Sequence, residues 1–197
     1  PYCHNPELVL SSLFQEEVPE APVFRFLESR KGILDAVTIT GGEPTIQPDL
    51  PQLIDRIKAL GYLVKLDTNG SRPQVLKVLI KRGLLDYIAM DIKGPLERYS
   101  DITGTQIAAE VAESVQVIMD SEVPYEFRTT VVEALIGNRD FEQIGKLIRH
   151  CRSYILQHFI PSKTLDPAYL QEASTSAEYL AAVKALLEKD IPHVRIR

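Results

Sequence analysis

The 197-residue chain has no tryptophan and only two cysteines, Cys3 and Cys151. Two thiols so far apart make no disulfide framework, so the expectation is a reduced, cytoplasmic protein. Positive charge is not in excess either. Lys and Arg number 22 against 27 Asp and Glu, a net charge of −5. No global basic field is available to recruit nucleic acid or an anionic membrane. No apolar run approaches the ~20 residues that a membrane-spanning helix needs. No repeat, low-complexity tract or linker divides residues 1–197, which read as a single domain.

What is present is a rhythm. "DAVTIT" (35–40) is a short β-branched run ending in Gly-Gly, the pattern of a buried strand. "DLPQLIDRIKALG" follows with Leu50, Leu53, Ile54, Ile57 and Leu60 on one helical face. Pro51 suits its first turn and Gly61 its end. Strand and helix patterns then alternate: strands at 62–67, 86–93, 125–133 and 153–160, helices over 71–82, 106–119 and 139–150. Thr175 and Glu178 form a capping-box pattern that opens a last helix to about Lys189, and "PHVRIR" reads as a short terminal strand. The segment 161–175 is the longest loop.

Strict alternation implies an α/β fold of parallel strands with right-handed crossovers. Polar residues stand at successive strand ends: Thr40, Asp67, Asp91, Arg128 and His158. Five ends converging on one mouth suit a partial (β/α)6 TIM-like barrel better than a crevice between two strands.

The strand ends also carry the chemical motifs. In "TITGGEPT", Gly41 and Gly42 let backbone approach a ligand closely. Glu43 beside them repels a phosphate, so carbonyls and carboxylate together suit an ammonium group. The plainer alternative is a strand-to-helix turn with Glu43 in solvent. "KLDTNG" sets Asp67 beside a common Asn-Gly turn. "MDIKG" puts Asp91 and Lys93 on one strand face, where a structural ion pair is the simpler reading. Arg128 lies within an apolar strand and needs a partner or ligand if buried. His158 reads more simply as a satisfied core histidine, and Cys151 lacks any ligand spacing.

Taken together, "CHNPEL", "TGGEP", "DTNG", "MDIKGP" and "QHFIPSKTLDP" resemble, in order and over essentially the whole chain, the radical S-adenosylmethionine (SAM) enzymes. Within that superfamily the chain is most similar to activating enzymes of glycyl-radical proteins, above all the anaerobic ribonucleoside-triphosphate reductase type. The resemblance implies a partial barrel of the radical SAM type. It also implies a [4Fe–4S] cluster held by Cys-x3-Cys-x2-Cys, with Cys3 as the last of the three ligands. The chain then reads as an N-terminally shortened version, its first strand missing, that cannot hold the cluster alone. Gly41, Gly42 and Glu43 would receive the SAM ammonium. Asp67 and Asp91 would lie near SAM and could help hold a monovalent cation. Lys93 and Arg128 would face its carboxylate or ribose, His158 its nucleoside end, and Asn5 the rim. The implied partners are a glycyl-radical enzyme and a flavodoxin-like electron donor. Two other readings stay open: a small-molecule radical SAM enzyme, such as a deazaguanine-forming one, and a non-catalytic SAM-binding remnant.

Overall fold

The computed structural model describes residues 2–14, 16 and 18–197. Six strands form one all-parallel sheet: β1 (Ala36–Ile39), β2 (Leu63–Thr68), β3 (Tyr87–Asp91), β4 (Tyr125–Val131), β5 (Tyr154–His158) and β6 (Val194–Ile196). Their spatial order is their sequence order. That order decides the architecture. A doubly wound sheet reverses direction at a switch point, whereas right-handed crossovers between successive neighbours place every helix on the same face. The result is an open barrel segment, with helices outside and a second sheet face turned inward.

The helices are α1 (Glu20–Ser29), α2 (Leu50–Ala59), α3 (Pro73–Lys81), α4 (Tyr99–Thr103), α5 (Ala108–Met119), α6 (Asn138–Leu147) and α7 (Ala177–Leu187). Apolar residues at helical spacing turn toward the sheet: Ile54 and Ile57, Leu76 and Leu79, Val111 and Val115, Phe141 and Ile144 are all buried. They cover the outward face of the strands, where the aligned residues Met90, Phe127, Tyr154 and Val194 are buried too. β1 is an edge strand with exposed and half-buried residues alternating along it.

The expected elements are present, with ends displaced by at most three residues. One reading needs correction, and two helices are additional. The last helix is capped by Ser176, whose hydroxyl accepts the Tyr179 N–H, and not by a Thr175–Glu178 box. Thr175 instead accepts the Phe159 N–H and donates to the Val131 carbonyl, tying the chain beyond β5 to β4. Helices α1 and α4 were not expected. Val23, Phe24 and Leu27 of α1 do stand at helical spacing, and of these Leu27 is buried.

Candidate functional site

Parallel pairing keeps aligned residues on the same face, so each inward side chain follows from the register. Lys65, Asp67, Asp91 and Arg128 all point to the inner face, with Asp91 aligned to Arg128. The guanidinium links the row: Nε donates to Asp91 Oδ1 at 2.8 Å and Nη1 to Asp67 Oδ2 at 3.2 Å. Lys65 Nζ stands 3.0 Å from Asp67 Oδ1, outside hydrogen-bonding geometry, so that buried oxygen has a counter-charge without a donor. Lys93 Nζ stands 3.6 Å from Asp91 Oδ2. Burial alone would weaken the proton affinity of Arg128, but the charges of Asp91 and Asp67 outweigh it and raise its pKa. The row thus sets two acidic side chains, Asp67 and Asp91, among three basic ones, Lys65, Lys93 and Arg128.

Above this row, at the C-terminal ends of β1 to β4, lies a half-open cavity of about 410 Å³. Cys3, Asn5, Gly41, Gly42 and Glu43 line it with Asp67, Asp91, Lys93 and Arg128. Nine of the ten positions singled out in the sequence therefore share one hollow. His158 does not. It aligns with Val131, on the outward face, while Gln157 aligns with Thr130, which lines the cavity. The strand end was right and the parity was wrong, so His158 is exposed away from the site.

The Gly41–Gly42 turn has two separate reasons. Gly41 adopts φ +150°, a conformation that residues with a side chain rarely take. At Gly42 a Cβ would sit 2.5 Å from the Leu8 carbonyl oxygen, so the backbone approaching there is the protein's own. Glu43 is not in solvent. Its carboxylate accepts from Thr45 N and Oγ1, from Thr68 Oγ1 at 2.8 Å and from Asn69 N at 2.6 Å. Four donors on two oxygens tie the loop after β1 to the loop after β2. Three of the donors converge on Oε1 and one on Oε2, so Glu43 braces the two loops while Oε2 keeps acceptor capacity at the cavity wall.

The N-terminal segment is seated by aromatics. Tyr2 is buried, edge-on to Phe159 at 6.4 Å and tilted against Tyr169 at 6.3 Å. The ring of His4 bonds the Ile160 carbonyl through Nε2. This holds Cys3 at the cavity, its sulfur accepting the Asn5 N–H at 3.5 Å. Cys151 is fully buried, and desolvation pushes its thiol up to about 12. The cluster implied by the resemblance needs three thiolates, and Cys3 is the one cysteine lining the cavity. Among the described residues no group of three His, Cys, Asp or Glu side chains is placed to hold a metal. The residues present do not fit a [4Fe–4S] cluster.

One wall was missed. The connection after β3 contributes Tyr99, Ile102, Thr103, Thr105 and Ile107. Five-residue α4 is too short to carry a periodic signal; its one readable mark is Gly104, which ends it at φ +72°. Among the described residues no helix is long and apolar enough to cross a membrane.

The chain is similar to known proteins in sequence and in fold. A Methanocaldococcus jannaschii protein, named provisionally as the glycyl-radical enzyme activating enzyme MJ1227, is 32% identical over all of this chain and 83% of its own length. The 7-carboxy-7-deazaguanine synthase of Neisseria meningitidis is 36% identical over 87 residues, 44% of this chain and 36% of that enzyme. Among solved structures, a domain of a pyruvate-formate lyase-activating enzyme from Bacteroides vulgatus superposes with TM-score 0.62 at 16% identity, covering 83% of this chain and 99% of that one. Streptococcus suis SuiB bound to SAM gives TM-score 0.68 at 12% identity, over 93% of this chain and 43% of SuiB. The Radical SAM superfamily profile matches residues 1–151, and with that match and the full-length relative, the chain belongs to the radical SAM superfamily.

Proposed function

We propose that this chain is the SAM-handling core of an activating enzyme for a glycyl-radical protein, with anaerobic ribonucleotide reductase as the first partner to test. One observation carries the reading: a single hollow collects Cys3, the Gly41–Gly42 turn and the ionic row of Asp67, Asp91, Lys93 and Arg128. The full-length similarity to the M. jannaschii protein supports the activating class. In this reading the backbone of Gly41 and Gly42, with the Glu43 carboxylate, takes the ammonium of SAM. Lys93 and Arg128 face its carboxylate or ribose, and Asn5 lies on the rim. Asp67 and Asp91 hold the two cations in place, and a monovalent cation bound there would compete with Arg128 for the same oxygens. With one cavity thiolate, the chain alone does not cleave SAM. Cleavage requires two more thiolates and a low-potential donor of the flavodoxin kind.

The test is anaerobic reconstitution of the gene product including whatever is encoded before Pro1, together with the candidate reductase. A glycyl radical in the electron paramagnetic resonance spectrum is the expected result. Absence of both 5′-deoxyadenosine and the radical overturns the proposal. The similarity to the deazaguanine synthase favours a second reading, a small-molecule radical SAM enzyme. SAM cleavage with a purine-like substrate, and no protein radical, would select it.

A further inference from the structure

Two rims of the cavity mouth that lie far apart in the sheet are joined by one short piece of chain. The loop after β1 and the chain after β5 follow strands with three others between them. The segment Tyr2–Leu8 touches both. On the β5 side the Tyr2 ring meets Phe159, and the His4 ring lies 5.9 Å from Phe159 with its Nε2 2.9 Å from the Ile160 carbonyl oxygen. There too the Glu7 carboxylate accepts from Lys163 Nζ at 2.7 Å. On the β1 side the Leu8 carbonyl packs against Gly42. The 3-10 turn Pro6–Leu8 therefore sits between the rims, and Cys3, His4, Asn5 and Val9 on either side of it line the cavity.

The two ends of this segment are held differently. Tyr2 is buried against Phe159 and Tyr169, an anchor that yields only if the aromatic cluster comes apart. None of Pro6, Glu7 and Leu8 is buried, so removal of apolar surface from water does little to pin the turn. Its fastening is the pair of Glu7 with Lys163, whose side chains are 34% and 54% exposed. An ion pair so exposed is weak and is weakened further by salt. A segment fixed at one end and lightly fastened at the other opens by local motion, with the sheet intact.

We propose that Pro6–Leu8 is a strap across the cavity mouth, hinged at Tyr2 and latched by Glu7 to Lys163, that holds the bound ligand and opens to release it. The inference rests on reading the cavity as a SAM site. It gives a role to Glu7 and Lys163, neither of which lines the cavity, as positioning residues that act through the strap.

Charge exchange tests the latch. Lys163→Glu and Glu7→Lys each break the pair, and the double variant restores it in reverse with the parent's net charge. In the 197-residue chain each single variant should release SAM about two- to fivefold faster in a stopped-flow chase, the range of an exposed ion pair. The Leu8 and Val9 amides, bonded to the Asn5 and Pro6 carbonyls, should exchange hydrogen faster in the same variants. The double variant should return both rates toward the parent's, and added salt should quicken release from the parent more than from either single variant. Thermal melting should hardly change in any of the three. Faster exchange with SAM release unchanged would mean that the turn retains nothing, and overturns the proposal. So do single variants with parental exchange, or a double variant as fast as the singles, which would trace the effect to local charge acting on the ligand. A single variant that melts well below the parent would make the pair a part of the fold, and overturns the latch as well. If the parent chain binds no SAM, the reading of the cavity falls and this inference with it.

Discussion

The two faces of the sheet are built from alternate residues of the same strands, and they obey different physics. On the outward face Met90, Phe127, Tyr154 and Val194 line up under the helices, held by close packing and removal from water. On the inward face Asp67, Asp91 and Arg128 line up beneath a cavity, held by charge. The first face tolerates no gap. The second borders a gap, because covering its polar side chains with apolar residues would strip them of water. Stability and binding are thus separated by a single step along the strand.

The sharpest break of that separation is Phe127→Ala. It should destabilise by about 3–5 kcal/mol through the cavity it leaves, measured by urea unfolding, while ligand contacts on the inner face are not touched. Arg128→Met comes next. Removing the cation leaves Asp67 and Asp91 facing each other in a half-buried site, and a loss of about 1–3 kcal/mol is expected after allowing for solvent screening at Asp91. Adding Asp67→Asn and Asp91→Asn to that variant should return much of the stability and none of the SAM binding. Recovery of both would erase the distinction between the faces. Glu43→Gln should cost about 1–2 kcal/mol, because an amide replaces one of the two acceptor oxygens that four donors share. Its mark is faster hydrogen exchange at the amides of Thr45 and Asn69, confined to the two loops. The smallest effect is chemical. At pH 8 a thiol alkylator should modify Cys3 readily and leave Cys151 untouched until unfolding, since burial holds that thiol up near 12. Labelling of both in the folded protein would deny the outward face its dryness.

The outward face was the more legible in sequence. Leu50, Ile54 and Ile57, or Val111, Val115 and Ile118, announce a helix by spacing alone, and each strand between such helices follows. The inner face was legible where a charged residue interrupts an apolar strand, as Arg128 does. It failed at His158, because counting which side of a strand a residue takes requires the register, and a shift of one reverses the answer. The bracing by Glu43 was hidden, because its donors come from Thr45, Thr68 and Asn69, and the last two are invisible until β1 and β2 pair. Tyr99 lay hidden in a helix of five residues, too short for periodicity. Tyr2 precedes every recognisable element, and its burial depends on Phe159 and Tyr169, far away in the chain.

Sequential strand order also means that the contacts of the charged row join residues of one strand or of adjoining strands, except for one. Asp67 on β2 and Arg128 on β4 reach each other across β3. A slip of β3 against either neighbour would pull that pair apart, so the row serves as a lock on the register of three strands.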